Sequence, residues 1–346
     1  MDTAHENANV LPAGLTVGVV DEQRAFPLLI ERASSGAGAC SLNELWDNYR
    51  EYLDASLYRT GAILFRGFGV SEQTTFASLI AHLKEEMMNY VDGNSPRTKL
   101  GSNIYTSTEY PPEFFISLHN ELSYAPRWPE RLLFCCVEAA SEGGETPLVD
   151  GRALLAELPA EVVEEFRRRG VKYLRNLHGG KGFGPSWQKT FETDDPAAVE
   201  SYADNCGMNL QWMEDGSVRL TCVRPATTFH PKTGEEVWFN QADQYHPSTH
   251  PPAVYQAMKA FFKGREEKLP QNATFGDDTP IPLEYLEVIR EQTRRLLVKF
   301  RWQQGDLLLV DNVLTAHGRM PFKGTRKILV AMTAQTAQRD CAKEIA

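Results

Sequence analysis

Apolar residues recur at helical spacing in two stretches near the start of the chain, then change to the short runs typical of strands. Leu42, Leu45, Trp46, Tyr49 and Leu53 form the first stripe, and Ser41 with Glu44 supplies an S-x-x-E capping box at its start. G-A-I-L-F-R-G-F (61–68) is a continuous apolar run bounded by glycines, which predicts a buried strand. The second stripe, Phe76, Leu79, Ile80, Leu83 and Met87, predicts a helix from near Ser71. From about 114 the pattern turns strand-like in F-F-I-S-L-H, R-L-L-F-C-C-V-E and T-P-L-V-D. A charged helix is predicted over 159–170, opened by Pro159. Residues 175–250 are rich in Gly, Pro, Asn, His and Trp without a clean period, which predicts long ordered loops of the kind that form lids. Two helices, about 253–263 and 282–297, precede a return to strands in K-F-R-W, D-L-L-L-V-D-N and K-I-L-V-A-M-T.

These elements predict a mainly β domain with flanking helices over 41–346, carrying an insertion at about 175–250. A partly flexible N-terminal segment, 1–40, precedes it, including S-S-G-A-G-A at 34–39. A formal charge of −10 argues against nucleic acid or an anionic membrane as the main partner. No apolar run approaches the roughly 18 residues that span a bilayer, and the first residues lack the basic and apolar regions of a signal peptide. The six cysteines show no C-x-x-C spacing, so they predict reduced thiols packed as small hydrophobes in a cytoplasmic protein.

Candidate chemistry centres on S-L-H-N-E-L-S-Y (117–124). On a strand, His119 and Glu121 would project from one face. His317, at the polar end that follows D-L-L-L-V-D-N, is the candidate for a third ligand from another strand. Two histidines and a carboxylate on one side of a metal make the facial triad of non-haem iron(II) oxygenases. His246, in F-N-Q-A-D-Q-Y-H, is a weaker rival; His5, His82, His178, His230 and His250 are read as hydrogen-bonded structural histidines.

The segments G-A-I-L-F-R-G-F, H-N-E, G-G-E-T-P-L-V-D and W-Q-Q-G-D-L-L-L-V-D-N-V-L-T-A-H-G-R together resemble the taurine-dioxygenase and clavaminate-synthase-like family of iron(II)/2-oxoglutarate oxygenases. N-I-Y-T-S-T-E-Y-P, S-W-Q-K-T-F-E-T-D-D, R-P-A and V-W-F-N-Q extend the likeness to its syringomycin-type amino-acid hydroxylases, over about 55–335. The resemblance implies a double-stranded β-helix, or jelly roll, with iron held by His119, Glu121 and His317. It implies that Thr146 and Arg326 bind the cosubstrate 2-oxoglutarate, with Arg319 a weaker rival for Arg326. Asn103, Ser117, Asn240 and Arg97 are the candidate substrate contacts. Asp243 and Gln244 stand where the family suggests a histidine and an apolar residue.

The implied reaction uses dioxygen and converts 2-oxoglutarate to succinate while oxidising an aliphatic C–H bond of an amino acid or derivative in natural-product biosynthesis. That substrate is expected free or tethered to a carrier protein, for which Arg97, Lys99, Arg127 and Arg131 are a candidate basic patch. Desaturation or epoxidation are the alternatives within the family. A zinc hydrolase lacks its usual H-E-x-x-H here, and a binding protein on the same fold is the remaining alternative.

Overall fold

The computed structural model describes residues 11–33, 40–88, 93, 97–101, 103–182 and 184–337, and the side chains through 333. The flexibility expected of 1–10 and of S-S-G-A-G-A therefore lies outside the described residues. The first strands are β1 (Leu15–Asp21), β2 (Phe26–Arg32), β3 (Ala62–Arg66), β4 (Lys99–Gly101), β5 (Ile104–Thr106), β6 (Ile116–His119) and β7 (Arg127–Glu138). The main sheet has the order β1, β2, β3, Leu307–Asp311, β7, Lys327–Ala337, β5, β4; β2 and β3 pair in parallel, and the other neighbours pair antiparallel.

The centre of this sheet is covered on both faces, which is why its strands read as unbroken apolar runs rather than as alternation. Ile63, Phe65, Leu133, Leu307 and Leu329 pack outward against two helices, α1 (Leu42–Thr60) and α2 (Gln73–Leu83). Leu64, Phe134, Leu308 and Val330 pack inward with Leu148 of a smaller sheet. That sheet has the order β6, Thr315–Arg319, Leu148–Asp150. The two sheets enclosing one core form the jelly roll.

The capping box forms as read: Ser41 Oγ accepts from the Glu44 amide, and the Ser41 amide donates to the Glu44 carboxylate. α1 ends at Gly61, whose φ of 75° suits glycine. A Cβ there would also strike the Thr315 hydroxyl, which donates to the Gly61 carbonyl at 2.9 Å. The helix end is thus fitted against the strand that carries His317.

Three expectations change. Residues 15–32, within the segment expected to be partly flexible, form the β1–β2 hairpin at the sheet edge. β1 is largely exposed, so its sequence carries no strong alternation. Residues 175–250 are not chiefly loops. They hold helices and strands, including two whole strands of a four-stranded antiparallel sheet ordered Asn209–Trp212, Val218–Arg224, Val171–Leu177, Gln271–Phe275. Val171, Tyr173, Arg175 and Leu177 do alternate inward, but Arg175 occupies a core position, with its guanidinium 5.4 Å from the Tyr124 ring centre. A charge in an inward slot hides the strand period. K-F-R-W is not a strand; Phe300 and Trp302 are core residues of an irregular segment.

Candidate metal centre

β6 ends at His119, which lies directly across from His317 in the Thr315–Arg319 strand. The register shifts between His317 and Arg319, which pairs with Ile116, and Gly318 sits at this shift with the Ile116 carbonyl against its α-carbon. Any side chain at 318 would force the strands of His119 and His317 apart. Glu121 is not on the strand; it sits in the turn beyond, before Leu122 at φ 58°. Asn312, fully buried, fixes that turn. Its Oδ1 accepts from the Glu121 amide at 2.7 Å, and its Nδ2 donates to the carbonyls of Glu121 (3.0 Å) and Pro129 (2.9 Å). Asn120 Nδ2 donates to the Asn312 carbonyl at 2.7 Å. Sequence reading missed Asn312; its only signal was a polar D-N ending an apolar run.

The side chains of His119, Glu121 and His317 are buried, and one donor atom from each lies within 4.8 Å of the others. No other such group occurs among the described residues. His317 Nε2 is 4.0 Å from Glu121 Oε2. His119 Nδ1 donates to the Ser117 carbonyl at 2.9 Å, which leaves the Nε2 lone pair for a ligand. Burial lowers the proton affinity of both imidazoles, and His317 is lowered further by His119 and Arg97. Neutral imidazoles are the form that binds metal. The donor set is two imidazole nitrogens and one carboxylate, buried and convergent, so the residues fit iron(II).

Thr146, Arg97, Arg319, Arg326, Ser107 and Phe134 line the same small cavity as the two histidines. Arg326 donates to the Gly144 carbonyl (2.8 Å) and Ser107 Oγ (3.0 Å), and no carboxylate lies within ion-pair distance of it among the described residues. Burial, then Arg319, lowers its pKa to about 10, so it stays charged near neutrality. A buried guanidinium with only neutral partners is a ready site for a carboxylate. Thr146 Oγ1 accepts from Trp302 Nε1 at 3.2 Å. Arg319 is occupied otherwise: it donates to the carbonyls of Thr108, Tyr110, Pro111 and Phe114, tying that loop to the strand of His317.

Residues 32–333 match the family described as taurine catabolism dioxygenase TauD, TfdA family. The chain belongs to the TauD/TfdA family. Dapdiamide synthesis protein DdaC of Enterobacter agglomerans is 35% identical over 303 residues, covering 88% of this chain and 90% of DdaC. A clavaminate synthase-like protein of Arabidopsis thaliana is 30% identical over 327 residues, covering 90% and 94%. The crystal structure of PvcB from Pseudomonas aeruginosa has the same fold, with a TM-score of 0.54 at 17% identity over 97% of this chain and 98% of PvcB. This TauD/TfdA member is an iron(II)/2-oxoglutarate-dependent dioxygenase. No helix of the described residues is long and apolar enough to cross a membrane.

Several other candidates of this dioxygenase lie elsewhere. Ser117 and Asn240 line a separate cavity of about 260 Å³ that shares no residue with the histidine cavity. The shifted register of β6 explains Ser117: Ile116 and His119 line the histidine cavity, while Ser117 and Leu118 line the other. Asp243 and Gln244 line that second cavity too, where Asp243 pairs with Arg290 at 2.5 Å. Asn103, at φ 60° between β4 and β5, lines neither. His246 contacts Ser248 at 2.8 Å, away from the triad. His230 contacts Asp311 at 3.0 Å, and His82 contacts Asp47 at 2.9 Å, as structural histidines would. The basic patch does not form as drawn. Arg131 is buried against Asp54 (2.8 Å) and Glu85 (3.2 Å), and Arg97 is buried against Glu121; Lys99 and Arg127 are exposed.

Proposed function

We propose that this enzyme hydroxylates an aliphatic C–H bond of an amino acid or amino-acid derivative in natural-product biosynthesis, in the cytoplasm. In this reading His119, Glu121 and His317 hold iron(II), while Thr146 and Arg326 hold 2-oxoglutarate. The observation that carries it is the buried triad sharing a small cavity with an arginine that has no carboxylate partner among the described residues. The kinship with DdaC, a protein named for dapdiamide synthesis, supports a biosynthetic setting.

Iron bound here would supply activation of dioxygen, coupled to oxidative decarboxylation of 2-oxoglutarate. The chain's residues supply the rest. Arg326 presents its planar fork to the far carboxylate of the cosubstrate, and Thr146 Oγ1 is a further polar contact. Phe134, 5.2 Å from the His317 ring centre, and Ile116 supply the apolar part of the cavity wall and help to exclude water from the histidines. The hydrogen bond from His119 to the Ser117 carbonyl fixes that ring, and the Asn312 clamp fixes Glu121.

Two measurements test the reading. Iron(II) and 2-oxoglutarate added without oxygen should give a weak visible charge-transfer band, which His317→Ala abolishes. With oxygen, a panel of free and carrier-tethered amino acids should include one that stimulates succinate release. Full activity in His317→Ala would remove that residue from the site.

A further inference from the structure

We propose that Arg97 holds the metal's place against Glu121 and, once the metal binds, passes to a carboxylate of the substrate. The substrate class is then a carboxylate-bearing amino acid or derivative. The proposal rests on His119, Glu121 and His317 being the iron ligands.

Arg97 Nη2 forms an ion pair with Glu121 Oε2, and the two side chains are only 2% and 5% exposed. The same Oε2 faces His317 Nε2 at 4.0 Å. The guanidinium therefore engages the oxygen that completes the triad. A buried carboxylate without a counter-charge is strongly unfavourable, and Arg97 supplies that charge before metal arrives. A divalent ion seated between the imidazoles and Oε2 would compete for the same lone pairs and repel the guanidinium. One of the two cations must give way, and the divalent ion has three ligands to hold it.

Arg97 lies two residues before β4 and belongs to no strand or helix, so movement of its side chain need break no ladder hydrogen bond. It lines the cavity of Arg326 and Thr146, so a displaced guanidinium would remain within reach of molecules bound there. Iron(II) and Arg326 together balance Glu121 and the 2-oxoglutarate dianion, so the charge of Arg97 is not required by either. Leaving Glu121 opens its fork to a second carboxylate, which it can grip through two parallel hydrogen bonds. Metal binding would thus create the substrate's carboxylate site and impose an order, metal before substrate.

The first test uses manganese(II) alone, titrated into metal-free protein and followed by calorimetry. Removing the competing cation in Arg97→Met should tighten manganese binding roughly tenfold and enlarge the upward melting shift that manganese produces. Arg97→Lys keeps the charge but not the planar fork. It should fall between the two, and it carries the comparison if Arg97→Met does not fold. Equal or weaker manganese affinity in these variants would overturn the proposal, making Arg97 a support for Glu121 instead. The second test compares free amino acids with their carboxamides in substrate-stimulated succinate release. The acids should act and the amides fail, and Arg97→Met should raise the acid's KM with the KM for 2-oxoglutarate little changed. Equal use of acids and amides by the unmodified enzyme would sink the substrate assignment. A panel with no turnover at all would count against the hydroxylase reading, whereas the manganese titration would still decide the role of Arg97.

Discussion

Arg319, buried, and Arg326, half-buried, stand beside the same cavity, yet their partners differ. Four backbone carbonyls absorb Arg319, whereas Arg326 bonds to one carbonyl and one hydroxyl. A charge-assisted pair in such a site contributes about 2–3 kcal/mol. Arg326→Leu should therefore weaken 2-oxoglutarate binding roughly 30- to 150-fold, measured by calorimetry with iron(II) present. Arg319→Leu should instead lower stability and loosen the 108–114 loop; the larger affinity loss there would move the cosubstrate to Arg319. His246 gives a second residue-level expectation. Burial, then Arg290 and Lys259, lowers its pKa to about 4 from 6.5. Between those values the unfolded chain takes up a proton and the folded one does not, so stability falls as pH drops from about 6.5 to about 4. The contribution at stake is about 3 kcal/mol. Denaturant midpoints across this range should flatten in His246→Gln, and an unchanged slope would refute the assignment.

At the level of elements, the site depends on where strands stop as much as on which residues they carry. β6 ends at His119, and Glu121 reaches the same space from a turn because Asn312 makes two hydrogen bonds to Glu121 and anchors them to β7 through the Pro129 carbonyl. His119 and Glu121 do meet in one space, but not because residues two apart share a strand face, since Glu121 lies beyond the strand. Asn312→Ala should weaken metal affinity roughly 10- to 100-fold, as loss of an orienting partner does, with the three ligands intact. Manganese(II) titration would show it, and unchanged affinity would mean that the turn holds Glu121 without the clamp. The same logic explains Ser117, which the register shift of β6 sends to another cavity two residues before His119.

For the whole molecule, two sheets closed around one apolar core bring strands distant in sequence to one small pocket. The chemistry expected of that pocket follows from Glu121. If Glu121 is an iron ligand as proposed, its carboxylate would occupy the place a halide would need, so the proposed product is heavier by one oxygen and not by one chlorine. Mass spectrometry of reactions run under labelled dioxygen at high chloride should show the label in the product. A chlorinated product from the unmodified enzyme would contradict this.

The sequence by itself determined the apolar runs of the main sheet and the capped helix at Ser41, and it singled out His119, Glu121 and His317, which the fold brings together. These features are local or are carried by motif, and residue type alone decides them. The structure decided that 15–32 joins the main sheet and that 171–275 builds a second sheet around the inward-facing Arg175. It also decided that Ser117 and Asn240 leave the histidine cavity, that Arg131 is buried, and that Arg97 meets Glu121. Each of these depends on register or on a partner tens to hundreds of residues away. Side-chain pattern along a chain records which face a residue prefers, but the pairing of strands determines what that face meets.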